Sequence, residues 1–314
     1  TILVTTTTTA MPPLPEALQM TWTRVPDQEA FHGGWMAAAT LGGPGIVAVG
    51  GSTFSDFAAP DAGVWVSADG TTWERITSDT FHGEPNPFGV EGEQYMTDVV
   101  SWPGGLVAVG TDGQLGGEHR AVVWLSPDGR TWSRAPEDEV FAGGIMQAVT
   151  VGGPGLIAVG SAGGRSAIWM SADGVTWQRV FEGDRYEEVA DVVAWDGRFF
   201  AVGTQGYWWY DSRLYDPPFR ALVWASEDGL SWERLPDSTR EDQPGVSLGR
   251  WPEVESRLRM LLADESGLMA LGETFSPVGS QPYDLQTWQS TDGRTWQMGT
   301  GQFLGYDADT YASR

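Results

Sequence analysis

The stretch Val122-Val123-Trp124-Leu125-Ser126-Pro127-Asp128-Gly129-Arg130-Thr131-Trp132 decides the fold, because the chain writes its pattern five times. Each copy reads Trp, any residue, Ser, any residue, Asp-Gly, two residues, Trp. Self-similarity at intervals of tens of residues is typical of a repeat architecture. The five copies begin at Trp65, Trp124, Trp169, Trp224 and Trp288.

Each copy predicts a tight β-hairpin. The residues before Asp-Gly alternate between apolar and polar, as a half-buried strand requires. Gly supplies the positive φ of the turn, and the Asp carboxylate and Ser hydroxyl can cap its backbone N–H groups. The second Trp opens the return strand and anchors it to the core. We therefore interpret these residues as structural rather than catalytic: Asp69, Asp128, Asp173, Asp228, Asp292, Trp73, Trp132, Trp177, Trp232 and Trp296.

A second signature precedes each hairpin and predicts two further strands. It is a short apolar run that ends in glycine and is itself preceded by a strand candidate such as Thr97–Ser101 or Ala190–Ala194. One unit thus holds four short strands in meander order, and such units arranged around an axis form an all-β propeller. A β-solenoid is the alternative, but its coils are shorter. The apolar runs are Gly45–Gly50, Gly105–Gly110, Gly155–Gly160, Arg198–Gly203 and Gly267–Gly272.

The sequence divides into three parts, because both ends differ from the repeats between them. Residues 1–20 form a Thr- and Pro-rich extension, 21–300 the propeller of four-stranded antiparallel blades, and 301–314 a C-terminal tail. Trp22-Thr23-Arg24-Val25-Pro26 resembles a fourth strand that has no hairpin before it. We favour five blades with this strand outside the ring. The alternative is six blades with one incomplete, which leaves a sheet edge for another chain.

The amino-acid composition limits the classes of partner that this protein can bind. The net charge is −24 and all 18 basic residues are Arg, which argues against nucleic acid and anionic membranes. No cysteine is present, so thiol catalysis and disulfides are excluded. We predict no cofactor, although the acidity leaves a bound Ca²⁺ open. No apolar run approaches the roughly twenty residues of a membrane span.

The N-terminal tract predicts a surface location and an assembly contact. Thr-rich and Pro-rich segments are typical of extracellular stalks, and a start without Met indicates removal of a leader. We expect an extracellular or cell-surface protein from a bacterium. Ile2, Leu3 and Val4, with the threonines up to Thr9, equally describe a β-strand that could pair with another chain and promote self-assembly.

The hairpin copies resemble the Asp-box, or BNR, repeat of sialidase-like propellers, usually written Ser-x-Asp-x-Gly-x-Thr-Trp. The copies here are one residue shorter between Asp and Trp. The resemblance implies a secreted or surface propeller, with the repeat turns away from any ligand site. Sialidases use an arginine triad, a Tyr nucleophile backed by Glu, and an Asp acid. Sialidases also carry an early Phe/Tyr-Arg-Ile-Pro motif, which the sequence around Arg24 resembles. The Arg-x-Pro pattern recurs at Arg134 and Arg234, so we interpret Arg24 as structural.

The function is expected on the face where the connections vary in length, since loops carry function on a regular scaffold. Clustered aromatic residues beside charges suit stacking on sugars or anchoring a protein partner. The alternative is that the loop containing Tyr207–Tyr210 buries its own aromatic side chains. The predicted ligand- or partner-binding residues are Tyr207, Trp208, Trp209, Tyr210, Tyr215, Arg220 and Trp251.

We predict a module that binds a glycan or protein rather than an enzyme. The alternative is a glycoside hydrolase of sialidase type, and convergence of three Arg from positions outside the repeat would favour it. Tyr186, Glu187 and Glu188 form a second candidate cluster, although adjacent residues on an extended strand point to opposite faces. The Arg candidates are Arg220, Arg250, Arg257 and Arg259.

Overall fold

The computed structural model describes residues 23–53, 59–82, 92–113, 119–206, 220–236, 255–275 and 284–299. They form five antiparallel sheets of four strands each, which we number as blades 1 to 5 in chain order and whose strands we letter a to d. The strands are β1 Gly34–Gly42, β2 Gly45–Ser52, β3 Asp61–Ser67 and β4 Glu74–Ile76 in blade 1; β5 Glu93–Trp102, β6 Gly105–Gly113, β7 His119–Ser126 and β8 Ser133–Arg134 in blade 2; β9 Gly144–Gly152, β10 Gly155–Ala162, β11 Arg165–Ser171 and β12 Gln178–Arg185 in blade 3; β13 Glu187–Trp195, β14 Arg198–Gln205, β15 Arg220–Ser226 and β16 Glu233–Arg234 in blade 4; and β17 Glu255–Asp264, β18 Gly267–Phe275, β19 Asp284–Ser290 and β20 Gln297–Met298 in blade 5.

The sheet order confirms the predicted β-propeller of four-stranded blades. Within each sheet the a, b, c and d strands are hydrogen-bonded in sequence order. The a strands of successive blades pack on one another, from β1 to β5, β9, β13 and β17, so they are the innermost strands. The core lies between blades: Val47, Val49 and Val64 of blade 1 pack with Met96 and Trp124 of blade 2.

The repeated hairpin is held by the same hydrogen bonds in every blade. In blade 2 the Ser126 hydroxyl accepts from Gly129 N at 2.8 Å, and Asp128 Oδ1 accepts from Arg130 N and Thr131 N at 2.8 and 2.7 Å. The Trp132 indole donates back to the Gly129 carbonyl at 3.0 Å. Backbone donors favour the ionised carboxylate, and they lower the pKa of the equivalent Asp173 to about 2.

The first Trp of each copy is a core residue, at most 1 % exposed in all five blades. An Arg of the d strand lies over its ring in blades 1, 2 and 3; for Arg134 and Trp124 the distance from Cζ to the ring centroid is 6.0 Å. Arg234 instead pairs with Glu187, and Arg24 pairs with Asp27 on the surface. Arg134 and Arg234 thus contact the propeller scaffold, whereas the pair made by Arg24 is exposed.

Each innermost strand carries a β-bulge at the same position. The pairing register skips one residue, for example between Met146 and Ala148 opposite Gly160 and Val159. A methyl group built on Gly160 would overlap the Ile145 carbonyl, so the bulge needs the glycine that closes the apolar run. The same contact recurs in all five blades. The five bulge residues are Ala37, Thr97, Gln147, Ala190 and Arg259.

Of the d strand predicted over Trp22–Pro26, the described residues Thr23–Pro26 form no strand. A β-strand needs a hydrogen-bonded neighbour, and the structure assigns these residues to no sheet. Instead the Gln28 side chain binds the blade 1 hairpin, donating to the Thr71 carbonyl at 2.7 Å and accepting from Trp73 N at 2.9 Å. The extension 1–20, with Ile2, Leu3 and Val4, and the tail 301–314 lie outside the described residues.

No helix of the described residues is long and apolar enough to span a membrane.

Candidate functional site at the channel mouth

The repeat turns and the variable connections lie on opposite faces of the propeller. An atom added at Gly129 would touch Pro44 and Val47, so the hairpin turn of blade 2 packs on the a–b turn of blade 1. The a strands begin on the other face, where the b strands end. We call the residue two before each bulge residue a mouth residue, because it lies where the innermost strand enters the channel. The mouth residues are Trp35, Tyr95, Ile145, Glu188 and Arg257.

Mouth residues of different blades come close together. The rings of Trp35 and Tyr95 are 6.5 Å apart between centroids, and Trp35 remains 43 % exposed. Burial raises the pKa of Tyr95, and the negative charges of Glu93 and Glu188 raise it further. Since Glu188 belongs to blade 4 and Tyr95 to blade 2, the two groups are close enough to interact electrostatically although they belong to different blades.

A small cleft opens between blades 4 and 5 at this mouth. Its charged lining combines one carboxylate, Glu188, with the guanidinium groups of Arg257 and Arg259. Arg257 is 1 % exposed and lies 4.0 Å from Glu273, whereas Arg259 is exposed. Such a site offers hydrogen-bond donors and one carboxylate acceptor.

Two further carboxylates occupy the innermost strands below the mouth. Asp98 Oδ2 accepts from Val149 N of the next blade at 2.8 Å, and Asp191 Oδ2 accepts from Leu261 N of its next blade at 2.7 Å. Burial raises the pKa of Asp98 to about 7 and that of Asp191 to about 6. Both side chains bridge neighbouring blades, which is a structural use of their acceptor oxygens.

The structure places the predicted residues in different settings. Arg220 is exposed at the start of β15 and pairs in register with Gln205, beside the cleft residue Gly206. Arg257 and Arg259 do line one cleft. The other predicted binding residues lie outside the described part of the chain, as does Arg250: Tyr207, Trp208, Trp209, Tyr210, Tyr215 and Trp251.

The cluster Tyr186-Glu187-Glu188 separates in the structure. Tyr186 is 44 % exposed, whereas Glu187 is buried and accepts from Arg234 at 2.6 Å and from Ser166 at 3.1 Å. Only Glu188 reaches the cleft. Tyr186 lies in the turn between β12 and β13 at a φ of 67°, whereas Glu187 begins β13, so the two side chains enter different surroundings.

Sequence reasoning missed Trp35 and Tyr95. Both lie in strands that were recognised only by their apolar pattern, so neither residue stood out. The glycine that ends each apolar run could have identified these residues. The bulge lies opposite this glycine, and its position determines which residue of the innermost strand becomes the mouth residue. Bulges often re-aim side chains beside functional sites, and the mouth and bulge residues differ from blade to blade.

Comparison with known proteins finds no matching family model and no matching curated protein. Several solved structures are similar to this chain at low sequence identity. An endo-arabinanase from Bacillus licheniformis is 10% identical with a TM-score of 0.42, covering 82% of this chain and 95% of its own. An α-L-arabinanase from Cellvibrio cellulosa is 11% identical with a TM-score of 0.42, covering 83% and 93%. A glycoside hydrolase that targets β-1,2 mannosidic linkages in Candida mannan is 13% identical with a TM-score of 0.45, covering 80% and 86%. At such identity their activities do not carry over to this chain, and membership of the Asp-box family stays a prediction.

Proposed function

We propose that this propeller is a glycan-binding module whose channel mouth holds the sugar. One observation supports this most directly: Trp35 stays 43 % exposed while its ring packs against Tyr95. A large exposed aromatic ring that is held in place offers a stacking surface at low entropic cost. The neighbouring cleft adds Glu188, Arg257 and Arg259, which suit hydroxyl groups or an acidic substituent.

Binding to an array of neutral and acidic glycans tests the proposal, followed by calorimetry on any hit. Trp35→Ala should weaken binding about tenfold, the equivalent of 1.4 kcal/mol of lost stacking. Leu230→Ala is the matched control, because Leu230 is also 43 % exposed but lies in a repeat hairpin on the opposite face. Equal losses in both variants, or retention of a protein and no glycan, would contradict the proposal.

The hydrolase alternative rests on the same cleft. Two of the Arg residues outside the repeat converge there with Glu188, which is part of the constellation that would favour an enzyme. A screen with fluorogenic sialosides and other glycosides tests it, with Glu188→Gln as the variant. Turnover abolished by Glu188→Gln would replace the binding role with catalysis.

The aromatic loop with Tyr207, Trp208, Trp209, Tyr210 and Tyr215, and Trp251, belong to the proposal as further contacts. An extracellular or cell-surface location and a bacterial source likewise stay predictions from the sequence. Self-assembly through Ile2, Leu3 and Val4 is also a prediction, and it excludes a role of the same residues within their own chain.

A further inference from the structure

Among the described strands, the sector between blade 5 and blade 1 is open. Every other pair of neighbouring blades packs through its a and b strands, but neither β17 nor β18 packs comparably on β1 or β2 among the described strands. Blade 5 presents an apolar face to this open sector. Met260 is 50 %, Leu262 44 % and Leu285 41 % exposed. Met269 is half-buried, whereas its counterpart Val47 in blade 1 is fully buried.

Blade 1 presents the other wall. Met36 is 40 % exposed, although its counterparts in all four other blades are 0 % exposed: Met96, Met146, Val189 and Leu258. Ala39 is exposed where the other blades have a buried Val or Leu. Ile46 is half-buried where they have a buried Leu or Phe. These positions are built to face a preceding blade.

The bridging carboxylates alternate along the described blades. Asp98 links blades 2 and 3 by accepting from Val99 N and Val149 N, and Asp191 links blades 4 and 5 by accepting from Val192 N and Leu261 N. The intervening blade 3 has Ala148 at the Asp position, and blade 1 has Ala38. Blade 1 is therefore the second member of a pair whose first member would precede it.

The corresponding donor in blade 1 is Ala39 N. Among the described residues no side-chain carboxylate accepts from it, although each of the other four blades has such a contact at this position. A strict alternation of blades with and without the bridging Asp fits a ring of six blades and not a ring of five.

The described part of the chain begins beside blade 1 and ends in blade 5, on the two sides of this sector. Residues 22–34 repeat 132–144 with the same spacing, including Trp, Arg-x-Pro, Phe and the final Gly-Gly. In the second copy this run comprises a d strand and the entry into the next blade. At the other end, Phe303-Leu304-Gly305 follows the last hairpin as Phe141-Ala142-Gly143 follows the second and precedes an innermost strand.

We propose that the terminal segments of this chain, residues 1–22 and 300–314, fill the open sector and contribute strands to a sixth blade. In this proposal the C-terminal segment packs against Met260 and Leu262. Ile2, Leu3 and Val4 supply apolar β-forming residues to the same sheet. This role is independent of what the channel mouth binds.

Thiol labelling of the full chain tests the occupancy of the sector, because the native sequence has no cysteine. Leu262→Cys is compared with Leu230→Cys, since the two side chains are 44 and 43 % exposed. If the sector is filled, a maleimide should modify Leu262→Cys at least tenfold more slowly than Leu230→Cys. Equal rates would overturn the proposal.

Two further measurements identify the occupant. Protection of Leu262→Cys should be unchanged on dilution of a monomer; protection that disappears on dilution would assign the sector to a second copy and overturn the proposal. Protection should also fall when charges are placed in the terminal segments, by Ile2→Asp with Val4→Asp or by Phe303→Asp with Leu304→Asp. Persistence in both double variants would exclude the chain ends.

Discussion

Replacing Gly160 by alanine tests the β-bulge that shapes the channel mouth. Two effects oppose each other. Alanine restricts the unfolded chain and would by itself stabilise the fold by about 0.5–1 kcal/mol. In the folded state its methyl group would overlap the Ile145 carbonyl oxygen. Relieving the overlap requires β9 and β10 to separate where Gly160 pairs with Met146 and Ser161 with Ile145.

Separation of these strands sacrifices two to three backbone hydrogen bonds, each with a net value of about 1 kcal/mol. We therefore expect Gly160→Ala to lower the free energy of unfolding by about 2 kcal/mol in equilibrium urea denaturation. Ser161→Ala, at the adjacent half-buried position, is the control and should change it by less than about 0.5 kcal/mol. A Gly160→Ala protein as stable as the wild type would refute the close approach and with it the assignment of mouth residues.

Two more predictions concern buried carboxylates. Because burial raises the pKa of Asp98 to about 7 and that of Asp191 to about 6, the folded protein holds protons that the unfolded chain releases near pH 4. Stability should thus decline between pH 4 and pH 7 in denaturation series, and less steeply in Asp98→Asn; a parallel decline would contradict the shift. Glu187→Gln should cost about 1–2 kcal/mol, since it removes the charge of a buried carboxylate that accepts from the partly exposed Arg234, whereas Glu74→Gln, in an exposed pair with Arg130, should cost under about 1 kcal/mol. Similar losses in the two variants would show that burial adds nothing.

The blades could be predicted from the sequence, but the mouth residues could not. The hairpin at Trp124–Trp132 and the run Gly105–Gly110 carry their own local signals, so their strands were predictable. Trp35 and Tyr95 carry none, because their role depends on a bulge that forms only when two strands pair. Thr23–Gln28 shows the converse: its sequence suits a strand, but a strand exists only beside a partner.

The carboxylate bridges couple blades in twos, through Asp98 and through Asp191. Loss or duplication of a single repeat would place two bridging acids side by side or leave one donor without its acceptor. Lineages of this chain should therefore gain and lose repeats as doublets, and a redesigned ring of eight would tolerate the pattern better than one of seven.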